Sequence, residues 1–352
     1  MVLSEDGPPR SSVSRLPEGT MAFLYLTEQG AVLQKTGERL LVSKDDQTLL
    51  DIPAAKVESV LVFGHVHLTT PALQLLLGQE VELALFTRRG RLLGKLSSPF
   101  PKNIELRRAQ YAKANDPAFA LALAQSIVLA KLENSLALVR EFAHNHPDPD
   151  LKPEIADLSH FPGQVPQMSD LASLLGLEGS GSHRYFTALA KMVRHSFNFT
   201  GRRHRPAPDP VNALLSLGYT MVYNEIASLL DGLGFDPYLG CYHQPRFGHA
   251  TLASDLLEEF RAPVVDRFTL ALVNNRVFGA GDFYQHTGGG VYLQDEPRKR
   301  YFAAYEAFIN RSFPTPDGEG DTDCRRLFRR QAERFRHVLL TGETYRPYKF
   351  SW

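Results

Sequence analysis

The sequence predicts an α+β protein, with a small β-rich domain at the front and a larger, all-helical body behind it. Three observations lead there. Between residues 20 and 100, short apolar runs alternate with turn residues at hairpin spacing. Beyond residue 105 the apolar positions recur with a helical period instead. The chain is also long enough for two cores: its 352 residues are 43% hydrophobic and 22% charged, the balance of a globular protein.

Residues 1–19, MVLSEDGPPRSSVSRLPEG, lack a basic start followed by an apolar stretch, so they read as a disordered leader and not as a secretory signal. The β-rich domain, 20–100, carries the strand-like runs MAFLYLTEQ, AVLQKT, RLLVS, TLLDIP, VESVLVFG, VELALFT and RLLGKLS. Turns such as EQG, KTGE, SKDDQ and TRRG separate them. One helix, TPALQLLLGQE, fits between the fifth and sixth runs, with proline near its start and glycine near its end. A proline-marked linker, 101–105, leads into the helical body, 106–352. There IELRRAQYAKA starts a helix, and Asp116-Pro117 caps the next, a long run ending near Asn145. The proline-rich stretch HPDPDLKPEIADLSHFPGQVPQ predicts a loop with a short helix. Helical patterning resumes at MSDLASLLG, and again after Asp209-Pro210, where a helix ends at Gly232 and Gly234.

Composition narrows the function classes. Basic and acidic residues number 39 each, so any nucleic-acid surface is local. Two clusters qualify: Arg202, Arg203 and Arg205 in GRRHR, and Arg325, Arg326, Arg329, Arg330, Arg334 and Arg336 against Glu333. An arginine-rich helix is either a solvated face with internal ion pairs or a phosphate contact; scarce opposing acids favour the phosphate. Two cysteines, Cys241 and Cys324, exclude a disulfide framework and a Cys-rich zinc site, and fit a reducing, cytoplasmic setting. No run reaches the 18 or more apolar residues of a membrane span.

The stretch Tyr219–Arg261 concentrates metal-ligand types. Glu225 lies in a helix that is apolar around most of its circumference, His243 follows a glycine turn, and Asp255 and Glu258 sit three apart on one helical face. An ionised carboxylate in an apolar setting is costly unless paired or bound to a cation. Carboxylates with one imidazole suit Mg²⁺ or Mn²⁺, and such sites act on phosphate esters. Each residue also has a bland reading: Glu225 paired with an arginine, His243 or His249 as an ordinary histidine, Asp255 and Glu258 stabilising a helix start, and Glu259 solvent-facing or paired.

DPVNALLSLGYTMVYNEI, then LG-x-x-H, then SDLLEEFRAPVVDR, together resemble the CRISPR-associated spacer-acquisition integrase family, the Cas-one proteins. LEGSGSHRYF resembles the family's Glu-Gly segment before a Tyr-Phe pair, GRRHRPAPDPVN its basic entry to the catalytic helix, and YRPYKFSW its tail. SGSH stands where small alanine-like residues are usual, and the proline-rich stretch Asp148–Gln167 is shortened. The resemblance implies Glu225, His243 and Glu258 as ligands of Mg²⁺ or Mn²⁺, with Asp255 the nearby catalytic acid and His249 the second choice of imidazole. It implies attack by the 3′-hydroxyl of a captured DNA fragment on a phosphodiester of the CRISPR repeat. Double-stranded DNA, a homodimer built through the β-rich domain, a small Cas-two partner and a separate trimming exonuclease are the implied partners. Two alternatives stand beside it: a structure-selective, metal-dependent DNA endonuclease using water at the same site, and a non-catalytic DNA-binding scaffold whose carboxylates merely cap and pair.

Overall fold

The structure, a computed structural model, describes residues 22–88, 92–96, 103–194, 197–203, 206–315 and 320–350. The expected leader (1–19) and Arg205 lie outside the described residues. The chain divides into two compact units, residues 1–100 and 101–352.

In the first unit lie β1 (Ala22–Leu26), β2 (Val32–Thr36), β3 (Arg39–Lys44), β4 (Gln47–Pro53), β5 (Val57–Phe63), β6 (His67–Leu68), α1 (Thr70–Gly78), β7 (Glu82–Phe86) and β8 (Leu92–Leu96). They form two four-stranded sheets, ordered β1-β5-β7-β8 and β4-β3-β2-β6. Hairpin spacing holds for β2-β3-β4 and for β7-β8, which pair antiparallel. At the β3–β4 turn Asp45 and Asp46 both take positive φ, as a tight two-residue hairpin requires. Elsewhere the spacing misleads, because β1 with β5, β5 with β7, and β2 with β6 pair in parallel. Parallel neighbours need a crossover, and here the β2-β4 meander and α1 supply it. The continuous apolar run of β5, buried at six of its seven positions, is the sequence mark of such an interior strand. Leu33, Leu40, Val60, Leu76 and Leu83 fill this unit's core.

The second unit is helical: α2 (Ile104–Ala114), α3 (Pro117–Asn145), α4 (Lys152–Ser159), α5 (Leu171–Met192), α6 (Pro210–Gly232), α7 (Thr251–Leu257), α8 (Arg267–Asn274), α9 (Asp295–Ile309) and α10 (Cys324–Thr341), with a small hairpin, β9 (Phe283–Gln285) and β10 (Val291–Leu293), before α9. Aspartates cap α3, α5, α6 and α10, each accepting backbone N–H bonds of the first turn. α3 corrects one expectation. Its 29 residues are long and apolar enough to cross a membrane by length and composition alone. Most of its apolar stretch is buried against protein, and α3 packs along α5, where Gly181 leaves room for Leu132.

The segment after α7 is irregular for a visible reason. A 3₁₀ turn (Glu258–Phe260) and a π-helical turn (Arg261–Asp266) separate α7 from α8. Pro263 has no N–H, so the carbonyl of Glu259 four residues back loses its helical partner. Asn134 of α3 replaces it, donating from Nδ2 to Glu259 O at 2.8 Å and to Tyr348 O at 3.0 Å. Asp255 lies inside α7, not at its start as anticipated, and Glu258 opens the 3₁₀ turn that follows directly.

Candidate active site

A cavity of about 290 Å³ opens within the helical unit. Lys131 and Ser135 reach it from α3, Glu178, Ser182, Tyr185 and Phe186 from α5, and Tyr219 from α6. Tyr242, His243, Glu258, Arg261 and Asp266 line the far wall, with Arg202 at the edge.

Asp255 organises the histidine. Fully buried, it accepts the N–H groups of Cys241 (2.7 Å) and Tyr242 (3.0 Å) on Oδ2, and those of His243 (2.9 Å) on Oδ1. The same Oδ1 takes His243 Nδ1 at 2.7 Å. The imidazole is thereby fixed with Nε2 toward Glu258, 3.7 Å from its Oε1. Burial works against the imidazolium, but the Asp255 hydrogen bond and the Glu258 charge outweigh it and raise the His243 pKa. Gly240 permits this cradle, since a Cβ there would fall against Asp255 Oδ2 and 2.9 Å from the Thr251 carbonyl carbon.

Glu258 is 3% exposed, with Arg261 Nε 2.9 Å from Oε1 and Lys131 Nζ 2.6 Å from Oε2. Burial alone would push its carboxyl up; Arg261, Lys131 and His243 reverse that and hold it at about 2. Lys131 also bonds Glu178, which accepts a second bond from Ser182 Oγ at 2.7 Å. Two carboxylates from different elements thus flank one ammonium, with the His243 Nε2 beside them.

This donor set fits a hard divalent cation. It offers two carboxylates and an imidazole whose other nitrogen is anchored by a third. Glu258 Oε2 has Lys131 Nζ as its ion-pair partner at 2.6 Å. Among the described residues, however, no three His, Cys, Asp or Glu side chains converge closely enough to share an ion as they stand.

A second buried group adjoins the first. Asp266 accepts the hydroxyls of Tyr185 (2.7 Å) and Tyr219. Burial, only partly offset by these bonds and by Arg261 and Arg202, raises its carboxyl to about 6. The guanidinium groups of Arg202 and Arg261 lie 5.3 and 4.6 Å from the Tyr219 ring centre. The cavity wall therefore offers fixed cations beside the acids.

Glu225 does not join this site. It is buried, as its helix pattern implies, but Arg325 Nε and Nη2 each lie 3.0 Å from one of its oxygens, and Tyr305 donates to Oε1 at 3.1 Å. As the structure stands, Glu225 is an arginine-paired acid outside the residues that line the cavity. Arg325 is engaged by the same contacts and by Glu306 at 2.6 Å. His249 is likewise elsewhere: it stacks on Tyr223 and meets Ser254 Oγ at 3.0 Å, closing its own loop. Glu259 is fully buried and not solvent-facing, held by Tyr345, the Tyr348 N–H and Gln331.

The other arginines divide. Arg202 is tied to Asn212 Oδ1 at 2.9 Å and lines the cavity. Arg203 donates its backbone N–H to the same oxygen. Arg326 and Arg329 are exposed on α10, Arg326 within 3.3 Å of Asp323, while Arg330 is half-buried. Glu178 is the acid that residue reasoning missed. It stood in LEGSGSHRYF without a role, and only the packing of α5 on α3 brings it to Lys131.

The profile described as "CRISPR associated protein Cas1" matches residues 24–307. The chain belongs to the Cas1 family. A CRISPR-associated endonuclease Cas1 from Thermus thermophilus is 34% identical over 332 residues, covering 92% of this chain and 98% of that protein. One from Moorella thermoacetica is 32% identical over 290 residues, covering 80% and 84%. A Cas4 exonuclease/Cas1 endonuclease fusion from Geobacter sulfurreducens is 34% identical over 91% of this chain, which spans only 58% of the fusion. Among solved structures, a Cas6-RT-Cas1–Cas2 complex contains a chain with a TM-score of 0.81 and 27% identity, over 95% of this chain and 37% of that one. A casposase bound to integration product shares the fold, with a TM-score of 0.83 at 19% identity.

Proposed function

We propose that this Cas1 family member is a metal-dependent DNA integrase of CRISPR adaptation, joining the 3′-hydroxyl of a captured fragment to a phosphodiester of the repeat. The observation that carries the reading is that Glu178, Glu258 and His243 line one cavity, with Lys131 and Arg261 beside them. Glu178, Glu258 and His243 are the residues that would hold Mg²⁺ or Mn²⁺. A divalent ion there supplies Lewis acidity, lowering the pKa of the attacking oxygen and stabilising charge on the phosphate and leaving oxygen.

The chain's own residues do the rest. Asp255 keeps His243 in one tautomer and orientation, so Nε2 stays turned to the reacting centre. Arg261 and Arg202 give the phosphate fixed positive neighbours whose orientation costs nothing at the moment of reaction. Arg203, Arg205, Arg326, Arg329 and Arg330 are assigned to the DNA backbone farther out, so binding should weaken steeply with salt. Double-stranded DNA, a homodimer formed through the β-rich unit, a Cas2-type partner and a separate trimming exonuclease complete the reading. The Cas1–Cas2 complex and the Cas4 fusion among its relatives support the last two.

The test is strand joining. The full chain, with its small partner, is incubated with supercoiled repeat-bearing plasmid, a duplex with free or blocked 3′ ends, and Mn²⁺ or Mg²⁺. Joined product that needs the metal and the free hydroxyl is the expected result. The endonuclease names of its relatives favour one second reading, hydrolysis by water at the same site, and nicking indifferent to the 3′ end would establish it.

A further inference from the structure

Lys131 is the feature of this site that the mechanism leaves without a task. Its side chain is 14% exposed, on a helix otherwise packed with apolar residues, and a lysine is seldom so buried unless paired. Its Nζ is shared between Glu178 on α5 and Glu258 past the end of α7, the two carboxylates assigned above to the metal. With Arg261 on Glu258 Oε1, the two acids already face two cations. A dication entering here meets repulsion from an ammonium seated between its own ligands, and finds an oxygen of each carboxylate taken.

We propose that Lys131 is the site's built-in cation: its ammonium holds Glu178 and Glu258 together, competes with the divalent ion for them, and is displaced when the ion binds. The inference rests on the metal-site reading above. Competition is specific to Lys131, because the other supports of the donors do not stand between them. Ser182 holds Glu178 from the side, Asp255 holds His243, and Arg261 lies on the other oxygen of Glu258. Removing the ammonium therefore frees the ligands without scattering them. A lysine serving only as a strut between helices predicts the reverse, since its loss would splay the carboxylates and weaken any ion they hold.

The experiment measures Mn²⁺ binding to the full chain by the electron paramagnetic resonance signal of the free aquo ion, for wild type, Lys131→Met and Glu178→Gln. Tighter binding by Lys131→Met, by about tenfold or more, is expected as the competing charge leaves. Glu178→Gln should bind at least about tenfold more weakly as a ligand is lost. Unchanged or weaker binding by Lys131→Met with wild-type circular dichroism overturns the competition. If that variant does not fold, Lys131→Gln replaces it. The Lys131 ammonium resonance of wild type, followed by NMR during Mg²⁺ titration, gives an independent reading: it must move on saturation, and a resonance unmoved at saturation overturns the proposal. Wild-type protein that takes up no Mn²⁺, or binds it regardless of Glu178→Gln, overturns the metal-site reading and this inference with it.

Discussion

Asp255 shows how much a single carboxylate does here. Both of its oxygens accept two N–H groups, so Asp255→Asn sets an NH₂ against donors and loosens the imidazole. Mn²⁺ affinity should fall by about 10- to 100-fold and stability by about 2 kcal/mol, read by titration and urea unfolding; wild-type values for both would refute the assigned role. Glu259 predicts a pH effect. Burial, opposed by bonds from Tyr345, Tyr348 and Gln331, raises its carboxyl from 4.5 to about 7. The folded state thus binds the proton more tightly than the unfolded one. Its stabilising contribution is complete below about pH 4.5 and is lost as pH rises through about 7. Glu259→Gln should remove up to about 3 kcal/mol of the wild-type loss of stability between pH 5 and 8; an unchanged pH slope would contradict this. At this scale the sequence was half legible. It marked His243, Asp255 and Glu258 by type and spacing, and Glu225 as a buried acid. Burial does not name a partner, however, and Arg325 lies 100 residues away in sequence.

At the scale of elements, the site depends on three that sequence periodicity describes unequally. α3, α5 and α6 were visible in the helical period, α3 and α6 also in their Asp-Pro caps, and that much was enough to give the fold class. The facing of α5 on α3 was not, since Leu177, Glu178 and Gly181 acquire their roles only through the packed neighbour. The turn from Glu258 to Asp266 was hidden too: its irregularity follows from Pro263, and its repair comes from Asn134 on another helix. The β-rich unit shows the same limit, as hairpin-like spacing concealed parallel pairing. Gly240 gives the element-scale prediction. Gly240→Ala pushes a methyl group into Asp255 and the start of α7, so the loop bearing His243 must shift. Stability should drop by about 2 kcal/mol and Mn²⁺ binding should weaken with it; a variant indistinguishable from wild type in both would show that the cradle is looser than described.

For the whole molecule, zero net charge hid the nucleic-acid reading, which survives only as local groups of arginine. The family match and the cavity agree on phosphodiester chemistry, and the central claim is that its acid ligands are Glu178 and Glu258, not Glu225. Loss of Glu225 should act through stability, costing about 3 kcal/mol because Arg325 is left short of a partner. The direct test compares Glu178→Gln and Glu225→Gln in the metal-dependent strand-joining reaction, at a temperature where both remain folded. The account predicts at least a hundredfold loss of joined product for Glu178→Gln and near wild-type joining for Glu225→Gln. Joining that survives Glu178→Gln but disappears with folded Glu225→Gln would contradict it.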